Sequence, residues 1–381
     1  MLTQDYPPAV GGIQTYADCL SREWAPACAD FAVMAPEGDG AKQIDDHLPF
    51  DVYRIPTSSD LMRIKVRPHL IKRLSEQRFD AIFTGHWYVA AAALSARRRG
   101  LVKKVFVAAH AQELRKNIMP IGLKRIYEWH RKRVLRQVDA VYPVSRYTGA
   151  LLEKDGVDPA KVVVVPNGTE VGRFEVSEPE QLKFSFREKY QLGDGPVIGT
   201  VARLVPRKGI DTVIEAMPIL LKSHPDLVYM IVGGGDDEQR LKQLAIQHGV
   251  ARQCRFLGKI PYEDLVGAYY AMDCFVMPAR QIGSSVEGFG LVFCEASACG
   301  IPVVGGLSGG VPDAVVDGES GLLVEPDSAT ECAAAVLPFL NDPNYAKQLG
   351  DFGRRHVRAQ GTWSAVAKRI LQDMERRCAS F

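Results

Sequence analysis

The sequence predicts an α/β protein built as two doubly wound, Rossmann-like domains that face a central cleft. Three observations carry this. The chain has 381 residues, more than one hydrophobic core ordinarily serves. Short, near-continuous apolar runs alternate with longer stretches of helical period, as in a parallel sheet buried on both faces. The alternation breaks over a polar, aperiodic stretch at 169–194 and then restarts.

Before the break, "DAIFTGH", "KVFVAAHA", "DAVYPVS" and "KVVVVPNG" read as strands of a first domain, residues 1–168. Residues 169–194 read as the linker. After it, "PVIGTVARL", "LVYMIVGGG", "CRFLGKI", "DCFVMPA", "PVVGG" and "GLLVEP" read as strands of a second domain, residues 195–361. Between them, "IDTVIEAMPILLKSH" and "EQRLKQLAIQHG" place apolar residues three and four apart, as amphipathic helices do. Residues 362–381, with "TWSAVAKRILQDMERRC", form a helix with no strand after it. It is expected to cap the second domain or return across the cleft to the first. Ligands of such sheets sit outside the carboxyl ends of the strands, and the cleft between two domains is the expected site.

Composition narrows the class. Hydrophobic residues make up 46% and charged residues 24%, as in soluble globular proteins. No apolar run approaches the ~18 residues of a membrane span, and no basic patch followed by an apolar stretch marks a signal peptide. The eight cysteines are scattered, without the close pairs of a zinc site or redox dithiol. A reducing, cytoplasmic location is expected. Net charge is +2 but uneven: 25 Lys and Arg against 18 Asp and Glu through Pro166, then 22 against 27.

The stretch "EGFGLVFCEASACGIPVV" is rich in chemistry. Glu287 precedes a glycine-flanked turn, Gly288, Phe289 and Gly290, and a helix is expected from Leu291 to Cys299, closed by Gly300. Free amides at such a helix start suit a diphosphate. Glu295, about one turn inside, is placed to accept hydrogen bonds from two neighbouring hydroxyls of a ribose, and Glu287 to do the same for a sugar. The plainer reading is that both glutamates only favour a helix N-terminus electrostatically. In "GTVARLVPRKGIDTVIEA", Arg203 follows a strand, and Lys208 with Gly209 opens the next helix. A departing nucleoside diphosphate needs such positive charge; the alternative is solvated surface cations. No Asp-x-Asp occurs in the chain, which disfavours a metal-held diphosphate.

These segments resemble the retaining glycosyltransferases of family four, with the GT-B fold. The resemblance rests on "ARLVPRKG", Glu287 and Glu295, "GFGLVFCEASACGIPVV" and "SGGVPDAVVDGESGLLVEP", and extends more weakly over nearly the whole chain. It implies transfer of a sugar from a nucleotide sugar with retained configuration and no required metal. Carried over residue by residue, it assigns Arg203 and Lys208 to the diphosphate, Glu295 to the ribose and Glu287 to the transferred sugar. The amides around Gly288, Phe289, Gly290 and Leu291 would line phosphates and sugar, and the backbone near Ile260 would meet the base. Gly11 and Gly12 of "DYPPAVGGIQTY" match a loop that faces the donor's phosphates, where a side chain would fill the ligand's space. Relatives carry several more strand residues before that loop. Here only "MLTQD" precedes it, so either the start lies upstream or the first strand is unusually short. His110 ends a strand and, with Glu113, matches a His-x-x-Glu segment, which implies a hydrogen bond to the transferred sugar; a lone His is otherwise more often structural. The resemblance favours same-face attack, in which the departing phosphate takes the acceptor's proton. "ARQIGSSVEGFGLVFCEASACG" is most similar to bacterial mannosyltransferases that use GDP-mannose, with UDP sugars still open.

The acceptor side is read from a basic segment, 115–136. It holds eight Lys and Arg around Ile118, Ile121, Tyr127 and Trp129, with Glu128 as its one acid. Ile126, His130, Val134 and Val138 are expected on the core side of a helix, leaving the cations to solvent or to anionic lipid. A saccharide or lipid-linked acceptor follows, at the cytoplasmic face of a membrane; nucleic acid is disfavoured, since no stacking pattern accompanies the charge. Three other readings differ in kind. "VGGGDDE" is not a dinucleotide fingerprint, which argues against a dehydrogenase. An epimerase of the same architecture would convert the donor with no acceptor. A non-catalytic nucleotide-sugar-binding subunit would be free to lose the charged residues that are all present.

Overall fold

The computed structural model describes residues 1–9, 11–115 and 124–379, the side chain of Lys124 excepted. It resolves into two units, 1–168 with 363–381 and 169–362. Among the described residues, no helix is long and apolar enough to cross a membrane.

The first unit carries strands β1 (Ala32–Pro36), β2 (Asp51–Ile55), β3 (Ala81–Thr84), β4 (Lys104–Ala109) and β5 (Ala140–Pro143), all paired in parallel. Residues 1–3 supply the missing middle position. Leu2 bridges Met34 of β1 and Thr84 of β3, both in parallel, donating to the Phe83 carbonyl and accepting from Gly85. The resulting order, β2, β1, residues 1–3, β3, β4, β5, is that of a Rossmann sheet, with its switch point between residues 1–3 and β3. The short opening "MLT" therefore takes a strand's place through the bridges of Leu2 alone. "KVVVV" lies beside β5, Val163 donating to Val141.

The helix Trp363–Ala379 packs on the helix Gly12–Trp24 of the same unit. Trp24 Nε1 donates to the Ala367 carbonyl at 2.9 Å, and the Tyr142 hydroxyl donates to Asp373 at 2.9 Å.

The second unit holds β6 (Val197–Val201), β7 (Val228–Val232), β8 (Cys254–Gly258), β9 (Cys274–Met277), β10 (Val303–Gly306) and β11 (Gly321–Val324). Its sheet runs β11, β10, β9, β6, β7, β8, again the Rossmann order, with the switch point between β6 and β9. Four of its six strands are buried at nearly every residue, which is why their sequence reads as continuous apolar runs.

Residues 169–194 are not a linker. They carry a turn at Val171–Phe174 and a helix at Pro179–Lys189, which packs on the helix Leu265–Tyr270. Phe174 and Phe186 are buried, and Phe186 lies where a side chain on Gly267 would have to stand, 2.9 Å from its ring. Lys183 and Arg187 both pair with Asp273, at 2.8 and 2.9 Å. Polar residues that look like a solvated connection are in fact its attachment.

The basic segment also differs from expectation. Residues 116–123, with Ile118 and Ile121, lie outside the described residues. In the helix Lys124–Gln137, Ile126 is 62% exposed and His130 is exposed as well. Tyr127, Arg131, Val134, Leu135 and Val138 face inward instead. The helix is turned because Arg131 is buried against Asp155 at 2.6 Å and also donates to the Leu114 carbonyl, a partnership that a hydrophobic pattern cannot register.

Candidate active site

In the second unit the loops after β6 and β9 leave the sheet at its switch point. Arg203 follows β6 and is exposed. The turn Pro206–Lys208 ends at Gly209, whose φ of 70° is left-handed and which caps the helix Ile210–Leu220. A Cβ there would lie 2.1 Å from the Pro278 carbonyl, so only glycine lets the two loops touch. Arg280 N donates to the Arg207 carbonyl at 2.8 Å, and its guanidinium is held by Asp211 at 2.6 Å.

This contact brings Arg207 Nη1 and Lys208 Nζ each to 2.5 Å from Glu287 Oε2. Both cations are 8% exposed. Burial alone would raise the Glu287 pKa, but Lys208 and Arg207 outweigh it and hold the carboxyl at about 2. Burial lowers the Lys208 pKa, and Arg207 and Arg203 push the same way against Glu287. One carboxylate thus faces two buried cations, with Arg203 close enough to be felt. The excess charge is positive, as an anionic ligand requires.

The backbone of Glu287 is supported from the β10 loop. Gly310 donates to its carbonyl at 2.9 Å, and a Cβ on left-handed Gly309 would lie 2.4 Å from that same oxygen. Gly290, at φ 99°, caps the helix Leu291–Ala298 without a side-chain hydrogen bond. Phe289 is only 4% exposed, its side chain part of the core. Glu295 is half-buried and accepts from the Tyr269 hydroxyl at 2.5 Å; burial raises its pKa against that hydrogen bond. Ile260, half-buried, follows β8.

The first unit places a different set at its own switch point. His86 follows β3 and is 3% exposed; its Nε2 lies 2.8 Å from Asp5 Oδ2. Burial alone would raise the Asp5 pKa, but His86 outweighs it and lowers it. His110 follows β4, 8% exposed, its ring 5.3 Å from that of His86 and 4.8 Å from that of Tyr16, edge-on to both. Burial, reinforced by His86, pushes its pKa down to about 3. Glu113 reaches back to accept from His110 N at 2.6 Å, a turn made by Ala111 at φ 76°. A non-glycine residue in that region is strained, a common mark of functional sites. Gly11 is extended at φ 164° and Gly12 opens its helix. A Cβ on Gly11 would meet only the end of the Gln14 side chain, 2.5 Å away.

Among the residues expected from the sequence, Lys208 and Glu287 are in direct contact, and Glu295 lies one helix turn beyond the Gly290 cap. The partners that hold these groups are the ones sequence reading misses. Arg207 stands beside Lys208 in "VPRKG", and His86 ends "DAIFTGH" just as His110 ends "VFVAAH"; both carried that signal. Nothing local marks Asp5 or Tyr269.

Residues 183–356 match the family described as "Glycosyl transferases group 1", and residues 10–173 match "Glycosyltransferase Family 4". A GDP-mannose-dependent alpha-(1-6)-phosphatidylinositol monomannoside mannosyltransferase of Mycolicibacterium smegmatis is 33% identical over 98% of this chain and 97% of its own. The chain belongs to the family 4, group 1 glycosyltransferases. A glycosyltransferase of Corynebacterium glutamicum, GDP-mannose-dependent and acting on monoacylated alpha-(1-6)-phosphatidylinositol monomannoside, is 32% identical over 98% of this chain and 97% of its own. Among solved structures, the sucrose-phosphate synthase of Thermosynechococcus elongatus superposes with a TM-score of 0.79 at 24% identity, covering 100% of this chain and 99% of that one. Anabaena HepE, solved with UDP and glucose, gives 0.77 at 17% identity over 98% of both chains. These last two share the fold, GT-B.

The electrostatics of this glycosyltransferase predict a pH signature. A carboxyl held below its ordinary value of 4.5 stabilises the fold fully above that value and loses the contribution as pH falls towards about 2. In urea unfolding, Glu287→Gln should cost about 3 kcal/mol near neutrality, and the gap to wild type should narrow only below about pH 4.5. A gap that stays constant down to the lowest pH at which the protein folds would contradict the ion pairing.

Proposed function

We propose that this glycosyltransferase moves mannose from GDP-mannose to a lipid-linked saccharide acceptor, with retained anomeric configuration and without a metal ion. The observation that carries the reading is the Glu287 carboxylate held by Lys208 and Arg207 at the switch point of the second sheet. The relatives named for GDP-mannose and for phosphatidylinositol monomannoside support the donor and the acceptor class.

In this reading Lys208 and Arg203 neutralise the diphosphate, and the amides from Gly288 to Leu291 bind its oxygens. Ionised Glu287 is acceptor-only and takes hydroxyl hydrogens of the sugar, while Glu295 takes those of the ribose and the backbone at Ile260 meets the base. Gly11 and Gly12 leave room for phosphate, and His110 accepts a sugar hydroxyl. The bond from the anomeric carbon to phosphate breaks with its electron pair going to phosphate. The acceptor oxygen bonds to the same face, and its proton passes to the leaving phosphate. No protein nucleophile is needed; the residues position and stabilise charge.

Calorimetric titration in EDTA with GDP-mannose, UDP-glucose, UDP-N-acetylglucosamine, GDP and UDP tests this. GDP and GDP-mannose should bind, and Lys208→Ala and Glu295→Ala should each weaken them by at least about tenfold. Preference for the uridine ligands, or a requirement for added metal, would overturn the donor assignment. Conversion of bound donor with no acceptor present would favour the epimerase.

The acceptor class has its own support. In the first unit, the helix Lys124–Gln137 exposes Ile126 and Trp129, at 62% and 58%, and the helix Ser59–Glu76 exposes Leu61 and Ile64, at 46% and 69%. Arg125 and Arg133, and Lys65, Arg67 and Lys72, stand exposed among them. Both helices pack against the helix Trp87–Arg98. Apolar side chains beside exposed cations fit an anionic membrane surface, each cation adding roughly 1 kcal/mol. The protein should sediment with phosphatidylinositol-containing vesicles at low salt, and Ile126→Ser with Trp129→Ser should reduce this severalfold. Wild-type protein remaining in the supernatant would rule out membrane binding.

A further inference from the structure

The helix Leu265–Tyr270 ends in two consecutive tyrosines that the glycosyl-transfer reading leaves without a duty. Tyr270 is half-buried and donates its hydroxyl to the Phe174 carbonyl at 2.8 Å. Tyr269 is 0% exposed. Its ring lies 5.8 Å from that of Phe174, edge-on, and 6.1 Å from that of Phe275 in β9, tilted. Phe275 in turn meets Phe293 edge-on at 5.3 Å, and Phe293 belongs to the same helix as Glu295. The phenol is therefore held by core residues from the opening segment of the unit and from its central sheet.

Phenylalanine would fill that space as well, except for one atom. A buried hydroxyl costs stability unless it is hydrogen-bonded, and this one donates to Glu295 Oε2 at 2.5 Å. The direction follows from chemistry, because an ionised carboxylate can only accept. Burial pushes the Tyr269 pKa well above its ordinary value, so the phenol keeps its proton and stays a donor.

Tyr269 is the one hydrogen-bond partner of the Glu295 carboxylate among the described residues. A glutamate left to itself samples several rotamers; here Oε2 is tied to a group that the core holds in one place. Oε1 stays open, and Oε2 keeps a lone pair beside the phenol, so the carboxylate can still accept from two hydroxyls. Burial favours the neutral form of Glu295, and the phenol opposes it by favouring the ionised form that accepts.

We infer that Tyr269 is a positioning residue that fixes Glu295 Oε2 and thereby aims the open side of the carboxylate at the ribose hydroxyls of the bound nucleotide. The ribose side of this statement rests on the assignment of Glu295 in the reading above. Tyr269 acts only through Glu295. A carboxylate that is already aimed loses little side-chain freedom when the nucleotide arrives, which is how preorganisation adds affinity.

Calorimetric titration with GDP and with dideoxy-GDP, which lacks both ribose hydroxyls, tests the inference in wild type, Glu295→Ala and Tyr269→Phe. Wild type should prefer GDP by at least about tenfold, and Glu295→Ala should abolish that preference. Tyr269→Phe removes one oxygen and keeps the ring. It should cut the preference to about threefold or less by weakening GDP, while dideoxy-GDP stays within about twofold of its wild-type affinity and so certifies the fold. A hydroxyl with only a structural role would weaken both ligands alike. That result, or a full wild-type preference in Tyr269→Phe, would overturn the inference. No preference for GDP in wild type would instead overturn the assignment of Glu295 to the ribose, and the inference with it. Should the protein bind UDP in place of GDP, UDP and its dideoxy analogue serve the same comparison.

Discussion

Two cations and one carboxylate share a few buried ångströms at the end of β6 in the second unit, and the surrounding loops are arranged around that fact. Arg207 and Lys208 come from consecutive positions of one turn, and Glu287 from a loop some 80 residues later in the chain. Desolvating such charges is costly, and a buried ion pair contributes little net stability compared with apolar packing. Its value lies in what remains unbalanced: a cluster of net positive charge whose one carboxylate stays ionised. Remove Glu287 and two buried cations lose their counter-charge; remove either cation and the carboxylate loses half of what keeps it ionised.

Glycines make the arrangement possible. Gly209 against Pro278, Gly309 against the Glu287 carbonyl, and Gly233 and Gly235 against the carbonyls of Ala202 and Leu204 all sit where a Cβ would fall within 2.4 Å of backbone oxygen. The loops leaving β6, β7, β9 and β10 therefore touch main chain to main chain. Their relative positions are thereby fixed by the backbone rather than by rotamers. The first unit has the same strand order but a different device at its switch point, imidazoles and carboxylates in place of a cation pair.

Much of this was legible in the chain. The strands of the second unit are buried on both faces and read as unbroken apolar runs, and Lys208, Glu287 and Glu295 stand in motifs whose spacing reports their place at helix starts. What could not be read has physical causes. β2 is an edge strand with Asp51 exposed at its end, and β1 is built largely of alanine and methionine, which do not favour strands. The helix Pro179–Lys189 buries only Phe186 fully and is otherwise attached by charge pairs, so its period looks aperiodic. The phase of the helix Lys124–Gln137 is set by a buried arginine whose partner, Asp155, lies 24 residues away. Asp5 and His86 meet only because residues 1–3 and β3 are neighbours in the sheet, a fact of topology that no local pattern contains.

In the proposed reaction ionised Glu287 serves the sugar while the cations serve the diphosphate. Comparing Glu287→Gln with wild type for GDP affinity and for mannosyl transfer separates the two duties. GDP affinity should stay within a few-fold of wild type, which also certifies the fold, while kcat/KM with GDP-mannose should fall at least about a hundredfold. Transfer at the wild-type rate by a Glu287→Gln protein that binds GDP normally would contradict this division of duties.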